Sequence, residues 1–239
     1  MLKYLLPFFI ILSSCSSWSQ KIGSPSFLHE DFFVFEAKNW FEILYDSGTT
    51  KSIQEYYMSG SIVLNGSYFG WTKPGEYYPA WVWIENKKIK YPQMNSDPNI
   101  THMLFYMNYG NRVSMIKNSD TAQMIPICLQ NPAGCIAFQA WPLVLSGSIL
   151  QKFWESWHAN SKHERTLIGK TQSGKIYFFV STLPRSLWEI WEKILEDERF
   201  NRDSITVLNL DGWPSTAYFD GKNGFHLDKK LPIIIRTKL

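Results

Sequence analysis

Short apolar runs alternate with turn-forming residues from Asp31 onward, and this spacing predicts many strands. The predicted strands are residues 32–35, 41–45, 61–64, 80–84, 89–91, 113–116, 136–140, 166–168, 176–181, 206–210 and 232–236. Two segments, residues 170–174 and 220–224, combine glycine with polar neighbours in the way that hairpin turns do.

One amphipathic helix is predicted over residues 184–200, because Leu187, Ile190 and Ile194 fall on one stripe and Pro184 stands at its start. Weaker helical patterns cover residues 148–157 and 49–58. Strands dominate and helices are few. The pattern therefore predicts an α+β fold, a single domain with a mixed, mostly antiparallel sheet packed by a few helices.

Composition supports one substantial core, since 45% of the 239 residues are hydrophobic and 16% are aromatic. This excludes disorder as the main state. The formal net charge is only +3 and the basic residues are dispersed, so nucleic acid is not expected as a partner. The aromatic rings fit either a large core or a groove for sugar-like ligands, and composition does not separate these two uses.

The N-terminus has the pattern of an export signal. In residues 1–14 an apolar run follows Lys3 in the sequence. This run is too short to span a bilayer as a helix. The sequence up to Cys15 resembles a bacterial lipobox, in which the cysteine is lipidated and becomes the mature N-terminus. We expect residues 15–30 to be a lipidated linker and residues 31–239 the folded domain, tethered to a membrane and facing the periplasm or the exterior. Ordinary signal cleavage beyond Cys15 is the alternative.

Two cysteines remain, Cys128 and Cys135, on either side of a turn signal at residues 131–134. A disulfide between them would suit an oxidising compartment. Two buried free thiols are the alternative, and the cysteine spacing does not match a zinc site.

Four short segments break the pattern of plain strands and turns. The first, residues 65–69, joins an Asn-Gly turn to two aromatic rings. Its glycine would let the main chain approach a ligand, although Asn-Gly is also a common hairpin turn. The second, residues 139–147, is an apolar run that ends in Ser-Gly, and alone it indicates only a strand and a turn.

The third segment, residues 163–169, places His, Glu, Arg and Thr side by side before a strand. Arginine offers a fork for phosphate and glutamate a proton-transfer group, whereas a solvated charged loop is the alternative. The fourth, residues 207–216, runs from an apolar strand into Asp-Gly and then Ser-Thr. An acid at a strand end is a common ligand position, and an Asp that caps its own turn is the alternative.

In this order the four segments resemble the phosphodiester glycosidase domain family. That family shows an Asn-Gly-Gly-Tyr-Phe-like turn, a Gly-Pro segment closing on Gly, a His-Pro-Arg-Thr segment and an Asn-Leu-Asp-Gly-Gly-Gly-Ser-like loop. The corresponding segments here are residues 65–69, 141–147, 163–169 and 209–215. The resemblance implies an exported hydrolase that cleaves a glycosyl phosphodiester in an envelope or extracellular glycan.

Roles for individual residues follow from the resemblance. The expected catalytic residues are Asp211, as the main acid, Arg165, as the phosphate-binding cation, and Glu164, as a second acid. The expected substrate-binding residues are Asn65, Tyr68, Thr166, Asn209, Gly212, Trp213 and Ser215. Burial of the Tyr68 and Trp213 rings in the core is the alternative to their use as sugar platforms.

The sequence departs from the family pattern at several glycine and proline positions, which hold Ser67, Trp141, Glu164, Trp213 and Pro214. Proline removes an amide donor and tryptophan adds bulk where a bare backbone would meet a ligand. A catalytically inactive surface lipoprotein that binds glycan or phosphorylated polymer is therefore the alternative function.

No cofactor is expected, and a divalent cation is the alternative that the residues leave open. Asp211 and Asn209 are oxygen ligands of the kind that a divalent cation would use, but no dense oxygen-ligand loop accompanies them. The five histidines are scattered without zinc-binding spacing, and neither a phosphate-binding glycine loop nor a Gly-x-Ser-x-Gly elbow is present.

Overall fold

Strands form most of the computed structural model, which describes residues 26–29, 31–38, 41–48, 51–73, 76–80, 83–85, 87–91, 102–107, 112–117, 122–140, 143–146, 149–150, 160–202, 204–212 and 214–238. In chain order the strands are β1 Ser26–His29, β2 Phe32–Ala37, β3 Phe41–Tyr45, β4 Ser61–Asn65, β5 Phe69–Lys73, β6 Glu76–Pro79, β7 Trp83–Glu85, β8 Lys88–Tyr91, β9 His102–Met107, β10 Arg112–Lys117, β11 Cys135–Ala140, β12 Leu143–Ser146, β13 Ile149–Leu150, β14 His163–Thr171, β15 Ile176–Arg185, β16 Ile205–Asn209, β17 Tyr218–Phe219, β18 Gly224–Phe225 and β19 Ile233–Lys238. The helices are α1 Met124–Gln130, α2 Leu187–Glu196 and α3 Glu198–Arg202, and a 3-10 turn covers Ile53–Tyr56.

Within these residues the strands form three large sheets and a two-stranded ribbon of β5 and β6. A seven-stranded sheet has the order β1-β2-β15-β14-β16-β12-β13. Two five-stranded sheets have the orders β10-β9-β11-β7-β8 and β18-β17-β4-β19-β3. Every described strand pair is antiparallel, which confirms the α+β class with its mostly antiparallel pairing. The strands are divided among several sheets rather than gathered in the one sheet expected.

One apolar cluster joins the three large sheets. Phe178 and Ile168 reach it from the seven-stranded sheet, Leu64 and Ile235 from one five-stranded sheet, and Trp83 from the other, all fully or almost fully buried. Side chains alternate along a strand, so the neighbours of these residues on β14 and β15 point to the opposite face. That face is also covered, because α2 packs its apolar stripe on it.

The predicted helix over residues 184–200 is divided and shorter at its start. β15 continues through Arg185, and α2 begins after Ser186, whose hydroxyl accepts the backbone N–H of Glu189 at 3.1 Å in a capping box. The helix breaks at Asp197, because the carboxylate of Asp197 accepts the backbone N–H of Arg199 at 2.9 Å at the start of α3.

Three other expectations differ from the structure. The helix predicted over residues 49–58 is only the 3-10 turn Ile53–Tyr56, with Ile53 as its buried anchor. Within residues 148–157, Ile149–Leu150 is a short strand and residues 151–157 lie outside the described part. Ser26–His29, at the end of the predicted linker, pairs with β2 as an edge strand. The rest of the N-terminal prediction, including Cys15, lies outside the described residues.

Cys128 of α1 and Cys135 at the start of β11 form a disulfide. Both are buried, and they pack with Ile84 and Ala137 beneath α1. The bond fixes this helix to the outer face of the five-stranded sheet that contains β11. None of the described helices is long and apolar enough to cross a membrane.

Candidate functional site

The carboxamide of Asn65 joins three distant segments at the end of β4. Its Nδ2 donates to the backbone carbonyl of Asp211 at 2.7 Å, and its Oδ1 accepts the backbone N–H of Ala217 at 3.1 Å. The same oxygen accepts the hydroxyl of Thr166 on β14. Asn65 is 1% exposed. We call these contacts the Asn65 clamp, because they fix the loop of residues 211–217 against β4 and β14.

The main chain reinforces the Asn65 clamp. The backbone N–H of Asp211 donates to the carbonyl of Gly66 at 3.1 Å, and that of Leu210 donates to the carbonyl of Thr166 at 2.9 Å. A Cβ on Gly66 would lie 2.3 Å from Cγ2 of Ile233. Only glycine fits this contact without a shift of β19, which explains the Asn-Gly pair at the end of β4.

Arg165 lies beside the Asp211 loop. The residue is 4% exposed, and its guanidinium donates through Nη2 to the carbonyl of Ser161 at 2.9 Å. A Cβ on Gly212 would lie 3.7 Å from Cδ of Arg165 and 2.9 Å from the carbonyl oxygen of Glu164. The turn after Asp211 therefore packs directly on the backbone of β14. Burial lowers the pKa of Arg165, and the nearby Tyr68 opposes this shift.

Asp211 carries a strongly perturbed carboxyl group. Burial raises its pKa to about 7. Hydrogen bonds from the side chain of Ser215 and from the backbone of Gly212, together with the positive charge of Lys229, favour the ionised form and limit the shift. The carboxyl group therefore exchanges a proton near neutral pH, which is the property that a general acid or base needs.

The phenol of Tyr68 lies within the electrostatic reach of both Arg165 and Asp211. Burial raises the pKa of Tyr68, the charge of Asp211 raises it further, and Arg165 lowers it. The hydroxyl accepts a hydrogen bond from Nδ2 of Asn209 at 2.7 Å, and the residue as a whole remains partly exposed. Its hydroxyl group is thus fixed inside the site.

Lys229 is a member of the site that the sequence motifs did not indicate. Burial lowers its pKa, and the negative charges of Glu164 and Asp211 oppose that shift, so the ammonium group lies near both carboxylates. It belongs to the loop before β19, where its backbone carbonyl accepts the N–H of Ile53 at 2.7 Å. The Asp-Lys-Lys sequence at residues 228–230 resembles an ordinary charged loop, and only the fold brings it to Asp211.

The structure places the segments that contain Asn65, Arg165 and Asp211 next to one another. Several residues that were expected to bind substrate instead make contacts within the protein. Thr166 and Asn65 use their side-chain oxygens on each other and on the backbone. Ser215 holds the carboxylate of Asp211. The hydroxyl of Thr216 is buried and has no hydrogen-bond partner in the described part of the chain. Trp213 lies outside the described residues.

The second motif contributes through its backbone. β12 pairs with β16, which lies between β12 and β14 in the sheet, and Leu143 stands opposite Leu208. The carbonyl of Gln139, at the end of β11, accepts the hydroxyl of Ser67 at 2.7 Å. Residues 141–142 and 147 lie outside the described part. Among the described residues, no group of three or more His, Cys, Asp or Glu side chains is placed to hold a metal ion.

Comparison with known proteins shows similarity in fold alone. No protein-family model matches the sequence, and no curated protein matches it. The catalytic domain of zebrafish N-acetylglucosamine-1-phosphodiester alpha-N-acetylglucosaminidase, auto-inhibited by its pro-peptide, is similar with a TM-score of 0.57 and 11% identity, over 87% of this chain and 76% of that chain. A hypothetical protein from Synechocystis aligns with a TM-score of 0.46 and 12% identity, over 87% of this chain and 59% of that one. The chain therefore has a fold like that of a known glycosidase domain.

Proposed function

We propose that this chain is a hydrolase that cleaves glycosyl phosphodiesters, with Asp211 as the proton-transfer group and Arg165 as the cation that stabilises the phosphate. The observation that carries the proposal is the position of Asp211. The Asn65 clamp holds this buried carboxyl group, with a pKa of about 7, in a loop whose Gly212 packs against Cδ of Arg165 on β14. The likeness of fold to the zebrafish glycosidase domain supports the same class of reaction.

The chemistry requires few groups. Water attacks the anomeric carbon, the bond from that carbon to the phosphate oxygen breaks, and the leaving phosphate monoester takes the electron pair. The ionised carboxylate of Asp211 accepts the proton of the attacking water and later releases it to solvent. Phosphate is a good leaving group, so a second carboxylic acid is not required for its departure. Arg165 and Lys229 stabilise the negative charge that develops on the phosphate.

The remaining site residues have three roles in this proposal. Asn65 and Thr166 position the Asp211 loop, because their polar atoms are engaged within the protein. Tyr68, a partly exposed residue, stacks its ring on the sugar. Glu164 tunes the charge around Lys229 and thereby the protonation of Asp211.

The second candidate is a protein that keeps the fold and binds glycan or phosphorylated polymer without cleaving it. The observation that favours it is the 4% exposure of Arg165, whose guanidinium already donates to the carbonyl of Ser161. Pro214, which cannot donate an amide hydrogen bond, stands where the family loop has glycine. Burial limits the contact of Arg165 with a phosphate group, and Pro214 removes one amide donor from the loop after Asp211.

Incubation with a panel of glycosyl-1-phosphodiesters tests the proposal, with the released reducing sugar as the readout. We expect turnover by the wild type and a loss of about 10²–10⁴-fold in kcat for Asp211→Asn. Asp228→Asn is the matched control, because it removes an exposed carboxylate near Lys229 and should retain activity. Binding of these compounds with no release by the wild type would establish the second candidate instead.

Export and lipid attachment belong to the same proposal. The disulfide between Cys128 and Cys135 supports an oxidising compartment for the folded domain. Mass spectrometry of the mature protein should find a lipidated Cys15 at the N-terminus, and Cys15→Ser should release the protein from membranes. An unmodified N-terminus beyond Cys15 would contradict the anchor and leave the enzymatic proposal intact.

A further inference from the structure

A second concave region lies far from Asp211 along β14. This cavity, with a volume of about 600 Å³, is formed by the middle of the edge strand β10, the end of β14 and its turn, and the start of β16. The volume falls within the range of about 300–1,000 Å³ that ligand pockets have. Lys170 of this cavity and Arg165 of the candidate site are five positions apart on one extended strand, or about 17 Å at ~3.4 Å per residue. The two regions are therefore separate.

Polar side chains surround the cavity. They are the hydroxyls of Ser114, Ser204 and Thr206, the carboxamide of Gln172 and the ammonium of Lys170. Ser114 and Thr206 are partly buried, which limits their movement. Among the described residues, the side chains of Ser114, Gln172 and Thr206 make no hydrogen bond. Their donors and acceptors are consequently available to a ligand.

Lys170 supplies the charge of the cavity. Its Nζ donates to the carbonyl of Val113 on β10 at 2.8 Å, so the ammonium is held at the cavity wall and bridges two sheets. An ammonium group has three donors, and this bond uses one of them. Lys170 is the one charged side chain among the described residues that line the cavity. Met115 and Ile116 add an apolar portion suited to the C–H groups of a sugar ring.

We propose that this cavity binds a sugar unit that carries one anionic group. Lys170 pairs with the phosphate or carboxylate of the ligand, a role in which lysine acts as a point charge. Ser114, Gln172 and Thr206 exchange hydrogen bonds with the hydroxyls of the sugar. The inference concerns a binding site and does not depend on catalysis at Asp211.

Calorimetric titration of the full-length protein with four probes tests this site. The probes are glucose 6-phosphate, glucuronate, glucose and inorganic phosphate. We expect at least one of the two anionic sugars to bind at least tenfold more tightly than glucose and than inorganic phosphate. The tighter of the two identifies phosphate or carboxylate as the anion. The proposal would be overturned if neither anionic sugar bound at least tenfold more tightly than both glucose and inorganic phosphate.

Variants locate the binding. Lys170→Met should weaken binding at least tenfold and Thr206→Val several-fold. Lys175→Met removes a charge from the same hairpin, where Lys175 forms an exposed ion pair with Glu36, and should leave binding unchanged. Asp211→Asn should also leave it unchanged, so binding that disappears in that variant would assign the sugar to the candidate active site instead. If Lys170→Met fails to fold by thermal unfolding, Thr206→Val and Gln172→Ala decide the question.

Discussion

The side chain of Asn65 donates to the backbone carbonyl of Asp211, 146 positions later in the chain, at 2.7 Å. This bond holds the loop that carries Asp211, the proposed proton-transfer group, against the end of β4, although Asn65 itself takes no part in the proposed reaction. The candidate site is consequently stable only if the Asn65 clamp is intact. Removal of the Asn65 clamp should lower the free energy of unfolding, and any loss of activity should follow from this loss of stability.

Asn65→Ala leaves the N–H of Ala217 and the hydroxyl of Thr166 without their acceptor in a buried place. We expect the free energy of unfolding to fall by about 3 kcal/mol, because each buried polar group left unsatisfied costs roughly 1–3 kcal/mol. Urea denaturation measures the change. A variant that loses activity at wild-type stability would instead make Asn65 a direct ligand of the substrate.

Asp211 should make the protein less stable as pH rises. Its pKa is about 7 in the folded protein and 3.8 as the ordinary value, so the folded state binds more protons than the unfolded state between these two pH values. The contribution to stability is complete below about pH 4 and is lost by about pH 7, amounting to about 4 kcal/mol at 1.36 kcal/mol per pH unit.

Asp211→Asn removes this titration. The stability of the variant relative to the wild type should therefore increase from pH 4 to pH 8, as measured by urea denaturation across that range. Asp220→Asn, in the turn after β17, serves as a control whose difference from the wild type should not follow this course. A constant difference for Asp211→Asn would show that the carboxyl group titrates normally.

Lys229 should set the pH at which Asp211 works. Because the cation favours the ionised carboxylate, Lys229→Met should raise the pKa of Asp211 and move the acidic limb of the pH–rate profile to higher pH. Lys230→Met removes an exposed charge from the next position and should leave that limb in place. Identical profiles for the two variants would remove Lys229 from the site.

Gly212 should not tolerate a side chain. In Gly212→Ala the new Cβ would lie 2.9 Å from the carbonyl oxygen of Glu164, so the turn after Asp211 must move away from β14. We expect loss of activity together with a lower melting temperature. Gly60→Ala is the comparison: Gly60 has φ +75° but open space around it, so it should lose only stability, by about 1 kcal/mol.

The disulfide should stabilise the fold without shaping the site. Its cysteines are seven positions apart, and closing so short a loop contributes about 2–3 kcal/mol. Replacement of Cys128 and Cys135 by alanine should lower the melting temperature, while kcat on an accepted substrate stays at the wild-type value. A fall in kcat at a temperature where the variant remains folded would link α1 to the site.

Local pattern was sufficient for most of the strands. β14 and β15 were predicted from two apolar runs around a Gly-containing turn, and the structure joins them in register with Gly174 at φ +94° in that turn. β9 was missed although turn-forming residues flank it, since its Met, His, Leu and aromatic residues show no clear alternation of apolar and polar positions. α1 was missed because it contains Pro126, which the first turn of a helix tolerates.

The site was predictable where it depends on motifs and unpredictable where it depends on the fold. Asn65, Arg165 and Asp211 stand in recognisable segments, so the proximity of these segments was expected, while their shared role in catalysis stays a prediction. The hydrogen bonds of the side chains were not expected, because only the folded structure brings the hydroxyl of Thr166 to the carboxamide oxygen of Asn65. Lys229 belongs to no motif, and it reaches Asp211 only because β19 pairs with β4.

The seven-stranded sheet is covered on both faces, by the shared apolar cluster on one side and by α2 on the other. A substitution in the middle of β14 or β15 must therefore fit two closely packed layers at once, whereas one at a strand end meets a single loop. Substitutions meant to alter ligand binding should accordingly be confined to the exposed positions of residues 226–230 and of the turn after β14, where new side chains can be introduced without rebuilding the interior.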